Sequence, residues 1–113
     1  MARWKAPQKA KRDLNEPEIF EVLEAFGLTV EPTDKPADAV VGYLGQTYLV
    51  EVKNGPKAPL TTYQKGFIER WKGQYVILCS AAEAEEWAAL VRKSGDAGVP
   101  FRGQINADGV PAK

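Results

Sequence analysis

The 113-residue chain has no histidine and one cysteine, Cys79. Without histidine there is no Ser-His-Asp or Cys-His relay, no His-ligated metal and no hydrolase built on an imidazole base. One cysteine excludes an internal disulfide and any multi-cysteine zinc site. Hydrolytic chemistry in this chain has to run on carboxylates, lysine and a metal ion. Long apolar runs are also missing. No stretch approaches the roughly 20 residues that cross a bilayer, and the basic N-terminus lacks the apolar segment of a signal peptide. The expected location is cytoplasmic, with no membrane partner. Excess charge is absent too: 15 Lys and Arg balance 15 Asp and Glu. A surface positive all round is therefore not expected.

What is present fits one globular domain, with 44% hydrophobic and 27% charged residues. The charge balance is uneven along the chain. Arg3, Lys5, Lys9, Lys11 and Arg12 all precede the first acidic residue. Residues 1–12 show no apolar period and read as a flexible basic arm of the kind that contacts phosphates. A solvated tail is the alternative. Trp4, in that arm, is the one tryptophan read as a candidate for nucleic-acid contact. Residues 13–94 form the expected folded unit. From 95 to 113 the chain is punctuated by Gly, Pro and Asp, an irregular tail with at most a short strand near Phe101.

Within the folded unit the apolar spacing predicts the elements in turn. Ile19, Phe20, Val22, Leu23 and Phe26 make a helical stripe, opened by Asn15 with Glu18 (or Asp13 with Glu16) as caps and closed by Gly27. Leu28 to Thr33 is a short strand. Residues 39–50 are two strands about the turn Leu44-Gly45. Asn54 to Pro59 breaks regular structure. Thr61 or Thr62 starts a second helix, with Tyr63, Phe67, Ile68 and Trp71 on its inner face and Gly73 at its end. Tyr75 to Cys79 is a continuous apolar run, suited to a strand buried on both faces and parallel to its neighbour across the helix. Ser80 with Glu83 caps a third helix, with Trp87, Leu90 and Val91 facing inward. The order is helix, three-strand meander, helix, strand, helix: an α/β sandwich around a mixed four-stranded sheet.

Three charges interrupt the apolar hairpin: Asp38, Glu51 and Lys53. A strand between packed layers loses its water, so charges there need a reason. With a two-residue turn, paired positions sum to 89, which sets Asp38 opposite Glu51, roughly 5 Å apart on one face. Lys53, two residues from Glu51, shares that face. Two carboxylates so close repel unless a cation lies between them. A hard ion such as Mg²⁺ or Mn²⁺ accepts carboxylate oxygens and keeps several waters. The bland alternative is a turn residue at Asp38 and an exposed strand end at Glu51 and Lys53.

Asp38 followed by Glu51-Val52-Lys53 resembles the signature of the PD-(D/E)XK nuclease superfamily, with one Ala inserted in Pro36-Ala37-Asp38. Within it, the chain is most similar to the archaeal and phage Holliday-junction resolvases and the VRR-NUC branch. The likeness covers about residues 13–93. It implies an αβββαβα restriction-endonuclease-like core and a metal-dependent endonuclease cutting branched DNA as a homodimer. Asp38, Glu51 and the Val52 carbonyl would be metal ligands, and Lys53 would serve the attacking water or the phosphate. The resemblance adds Glu16 as a metal-water ligand, with Glu18 as substitute if the register differs by half a turn, and Gln64 as a partner of Lys53 or a phosphate. Lys57 and Lys65 flank the site loop as phosphate contacts. The rival readings are a flap-type or sequence-independent nuclease of the same superfamily, and a non-catalytic DNA-binding or assembly module.

Overall fold

A computed structural model describes residues 15–55 and 58–96. The expectations for the arm, for Trp4, for Lys57 and for the tail near Phe101 lie outside the described residues. The element order is α1 (Glu16–Ala25), β1 (Thr29–Pro32), β2 (Ala39–Tyr43), β3 (Gln46–Val52), α2 (Thr62–Arg70), β4 (Tyr75–Leu78) and α3 (Ala81–Asp96). The strands form one sheet in the order β1-β2-β3-β4, antiparallel at the first two joins and parallel between β3 and β4. This is the mixed four-stranded α/β domain that the periodicity predicts. No helix among the described residues is long and apolar enough to cross a membrane.

The β2–β3 turn sets the geometry of the whole sheet. Leu44 (φ 48°) and Gly45 (φ 83°) are both left-handed, as a two-residue turn matched to strand twist requires. Pairing then runs from Tyr43–Gln46 to Ala39–Val50, every pair summing to 89. Alternation sends Tyr48, Val50 and Val52 to one face and Leu49 and Glu51 to the other. On the first face they meet Ile19, Phe20 and Leu23 of α1 and Ala84, Trp87 and Val91 of α3 in the larger core. Tyr48 and Trp87 meet edge to face there, centroids 5.2 Å apart. On the second face, Leu49, Phe67, Tyr75 and Ile77 form a smaller core under α2. Strand β4, Tyr-Val-Ile-Leu, is buried throughout because helices cover both its faces.

Local signals end the helices mostly where expected. Gly27 (φ 90°) closes α1, and the Leu28 N–H returns to the Leu23 carbonyl. Thr61 and Gln64 form a reciprocal capping box on α2. The Glu83 N–H donates to Ser80 Oγ, while the Glu83 carboxylate accepts from the Cys79 N–H.

Several expectations are corrected. Asn15 makes no side-chain cap. Its amide instead donates to the carbonyls of Lys53 (3.3 Å) and Cys79 (2.9 Å), fastening the start of α1 to the ends of β3 and β4. Helix α2 stops at Arg70, not Gly73, so Trp71 leaves the helical stripe with extended backbone. Its ring lies on Phe67 at 5.1 Å but stays 40% exposed, and Tyr63 is exposed as well. A Cβ on Gly73 would come within 2.5 Å of that indole, so the close approach needs glycine. Leu90 is 48% exposed. It lies about 100° round the helix from Val91, off the stripe of Ala84, Trp87, Ala88 and Val91.

Candidate functional site

The site stands at the end of β3, on the sheet face under α2. Two buried carboxylates lie there, Asp38 and Glu51, each only 5% exposed. Asp38 sits one residue before β2, and backbone bonds hold it on both sides. Its N–H donates to the Val50 carbonyl (3.0 Å), and its carbonyl accepts from the Thr33 N–H (2.8 Å). The regular ladder ends at Ala39–Val50, so Asp38 is not a ladder partner of Glu51 as the register sum alone predicts. Its side chain nonetheless reaches the same place: Oδ2 accepts from the Val52 N–H at 2.8 Å. That N–H belongs to the peptide joining Glu51 to Val52, so the two carboxylates flank one peptide unit.

Gln64 organises the other half. Its Nε2 donates to Glu51 Oε2 at 2.6 Å, and its Oε1 accepts from Lys53 Nζ at 2.7 Å and from the Thr61 N–H at 2.9 Å. The amide orientation has one solution. Turned over, the NH₂ group would face an ammonium and a backbone N–H, neither of which can accept. Lys53 and Glu51 are themselves 4.0 Å apart, with both side chains largely buried. The amide therefore joins carboxylate and ammonium through shorter bonds than the direct ion pair. Gln64 occupies this position because the capping box that starts α2 also sets its rotamer.

The remaining candidates divide. Glu16 is buried in the first turn of α1, the helix that Asn15 fastens to the ends of β3 and β4. It does not form a tight group with the other two, because among the described residues no three His, Cys, Asp or Glu side chains lie close enough to hold a metal together. Glu18 is exposed and Lys65 is exposed on α2, next to Gln64. Lys35 Nζ stands 4.8 Å over the Tyr63 ring, and the Arg70 guanidinium lies 5.3 Å from the Phe67 ring, so cations border α2.

Tyr75 was legible in the sequence only as core. The structure buries its phenol on the same face as Glu51, and burial first, then the charges of Glu51 and Asp38, push it far above its ordinary value. Nothing in a continuous apolar run distinguishes such a tyrosine beforehand.

The donor set suits a hard divalent ion rather than a closed protein cage. Mg²⁺ binds through one or two carboxylates and keeps its remaining ligands as water, and two carboxylates beside a strand-end carbonyl at Val52 supply that much. No protein-family model, no curated protein and no solved structure matches the chain.

Proposed function

We propose that the chain is a divalent-metal-dependent endonuclease acting on branched or otherwise structured DNA, with its elements arranged as a restriction-endonuclease-like core. The observation that carries this reading is the Gln64 amide linking Glu51 to Lys53 beside a second buried carboxylate, Asp38. A merely solvated strand end would not bury two carboxylates, one bonded to an amide that also holds an ammonium and the other to the Val52 N–H.

Asp38, Glu51 and the Val52 carbonyl would hold Mg²⁺ or Mn²⁺. When bound, such an ion polarises a phosphate and makes a water acidic enough to attack it. The chain's own residues do the rest. Val52 N–H and the backbone bonds around Asp38 fix one carboxylate. The Gln64 amide fixes the other and holds Lys53 Nζ a few ångströms from it. Lys53 offers a compact positive charge and three donors, suited to a phosphate oxygen or to aligning a water. The exposed Lys65, with Lys35 and Arg70 over the α2 rings, would supply positive charge along α2 for a polyanion. The preference for branched DNA and the homodimer, which would let two sites cut symmetric strands, come from the family likeness.

The test is a cleavage panel of four-way junction, flap, duplex and single strand, with and without Mg²⁺, for wild type and Lys53→Ala. Metal-dependent cutting that falls by roughly 10²-fold or more in the variant is expected, by analogy with loss of one preorganised electrostatic group. A variant that cuts as well as wild type would remove Lys53 from the mechanism. Junction cuts placed symmetrically across the branch would favour the resolvase form over a flap-type enzyme.

A further inference from the structure

On the same sheet face as Glu51 lies a phenol that the chemistry above leaves unused. Tyr75 is 3% exposed, and its hydroxyl has no hydrogen-bond partner among the described residues. A buried hydroxyl left unpaired is costly, and such groups are few in folded proteins.

Strand pairing and one ring contact fix the position of the ring. Tyr75 pairs with Leu49 and Ile77 with Glu51 in the parallel β3–β4 ladder, so alternation puts Tyr75 and Glu51 on the face under α2. Phe67 follows Gln64 by three residues on α2 and packs against Tyr75, centroids 5.9 Å apart. One helix face thus covers both: Gln64 bonds Glu51 and Phe67 seats Tyr75. The hydroxyl lies in the field of Glu51 and Asp38, yet beyond hydrogen-bond reach of either. Burial and those charges keep it neutral, so it can both donate and accept without adding charge.

We propose that the Tyr75 hydroxyl belongs to the cation site, where it exchanges a hydrogen bond with a water hydrating the ion held by Asp38 and Glu51 and so positions that water. The proposal rests on the metal-site reading above. A hard divalent ion keeps several waters, and groups that bond such ligands from outside orient them and tune the affinity. Tyr75 is on this account a positioning residue. A structural role would need only its ring.

Tyr75→Phe keeps the ring and removes the oxygen. Calorimetric titration with Mn²⁺ alone, without DNA, is to be run on wild type and variant beside thermal unfolding without metal. The expected result is a Kd for Mn²⁺ raised roughly tenfold, with the metal-free Tm unchanged or higher because an unpaired group has gone. An unchanged Kd in a wild type that binds Mn²⁺ would overturn the role of Tyr75 alone. Weaker binding accompanied by a lower metal-free Tm would make the hydroxyl structural and overturn it as well. Absence of Mn²⁺ uptake by the wild type would defeat the metal site itself, and this proposal with it.

Discussion

Gln64 shows how much one side chain can decide. A single amide caps α2, accepts from Lys53 and donates to Glu51. Replacing it by leucine keeps the approximate volume but leaves a buried carboxylate and an ammonium with one partner fewer. Gln64→Leu is expected to lower stability by about 1–3 kcal/mol, measured as a lower denaturant midpoint. An unchanged midpoint would mean that the network contributes nothing. The tyrosines add a pH signature. Burial raises the phenols of Tyr48 and Tyr75 above the ordinary 10.0. In the unfolded chain they ionise near that value, while in the fold they stay protonated, so stability is intact below pH 10 and falls as pH rises beyond it. Tyr75→Phe should flatten that alkaline fall; an identical slope in the variant would show that Tyr75 is not held neutral.

At the scale of elements the β2–β3 hairpin matters most, because its register chooses which face receives Glu51 and Lys53. A slip of one residue would send both to the α1–α3 core and turn Val52 toward α2. The turn carries the strain of Leu44, a non-glycine residue at φ 48° with its side chain largely in solvent. Asparagine accepts that conformation more readily than leucine. Leu44→Asn is expected to gain about 1 kcal/mol, while Gly45→Ala, at φ 83°, should lose a similar amount. Thermal unfolding reads both, as Tm shifts of about 4–8 °C. Equal and unshifted Tm values would mean that the turn is not left-handed.

For the whole molecule, the proposed metal site has a thermodynamic consequence, because its two buried carboxylates, Asp38 and Glu51, are brought together only in the fold. An ion that binds only the folded form must then stabilise it. At Mn²⁺ concentrations about 100 times Kd the gain is roughly 2.7 kcal/mol, seen as a rise in Tm. Glu51→Gln removes one of the two charges and should abolish most of that rise. An equal rise in the variant would place the ion elsewhere.

The amino-acid order settles the elements and the face that carries the charges, because these follow from signals within a few residues: helical stripes, a capping box, a two-residue turn and strand alternation. It could not show that Asn15 spends its amide on carbonyls 38 and 64 residues away instead of capping its own helix. Nor could it show that α2 stops at Arg70 and leaves Trp71 outside the stripe, or that burial and the charges of Glu51 and Asp38 raise the ionisation of an ordinary core tyrosine at 75. Those outcomes were decided by the tertiary structure, since each depends on which distant backbone the packed sheet brings within hydrogen-bond or contact range, and local spacing carries no record of that.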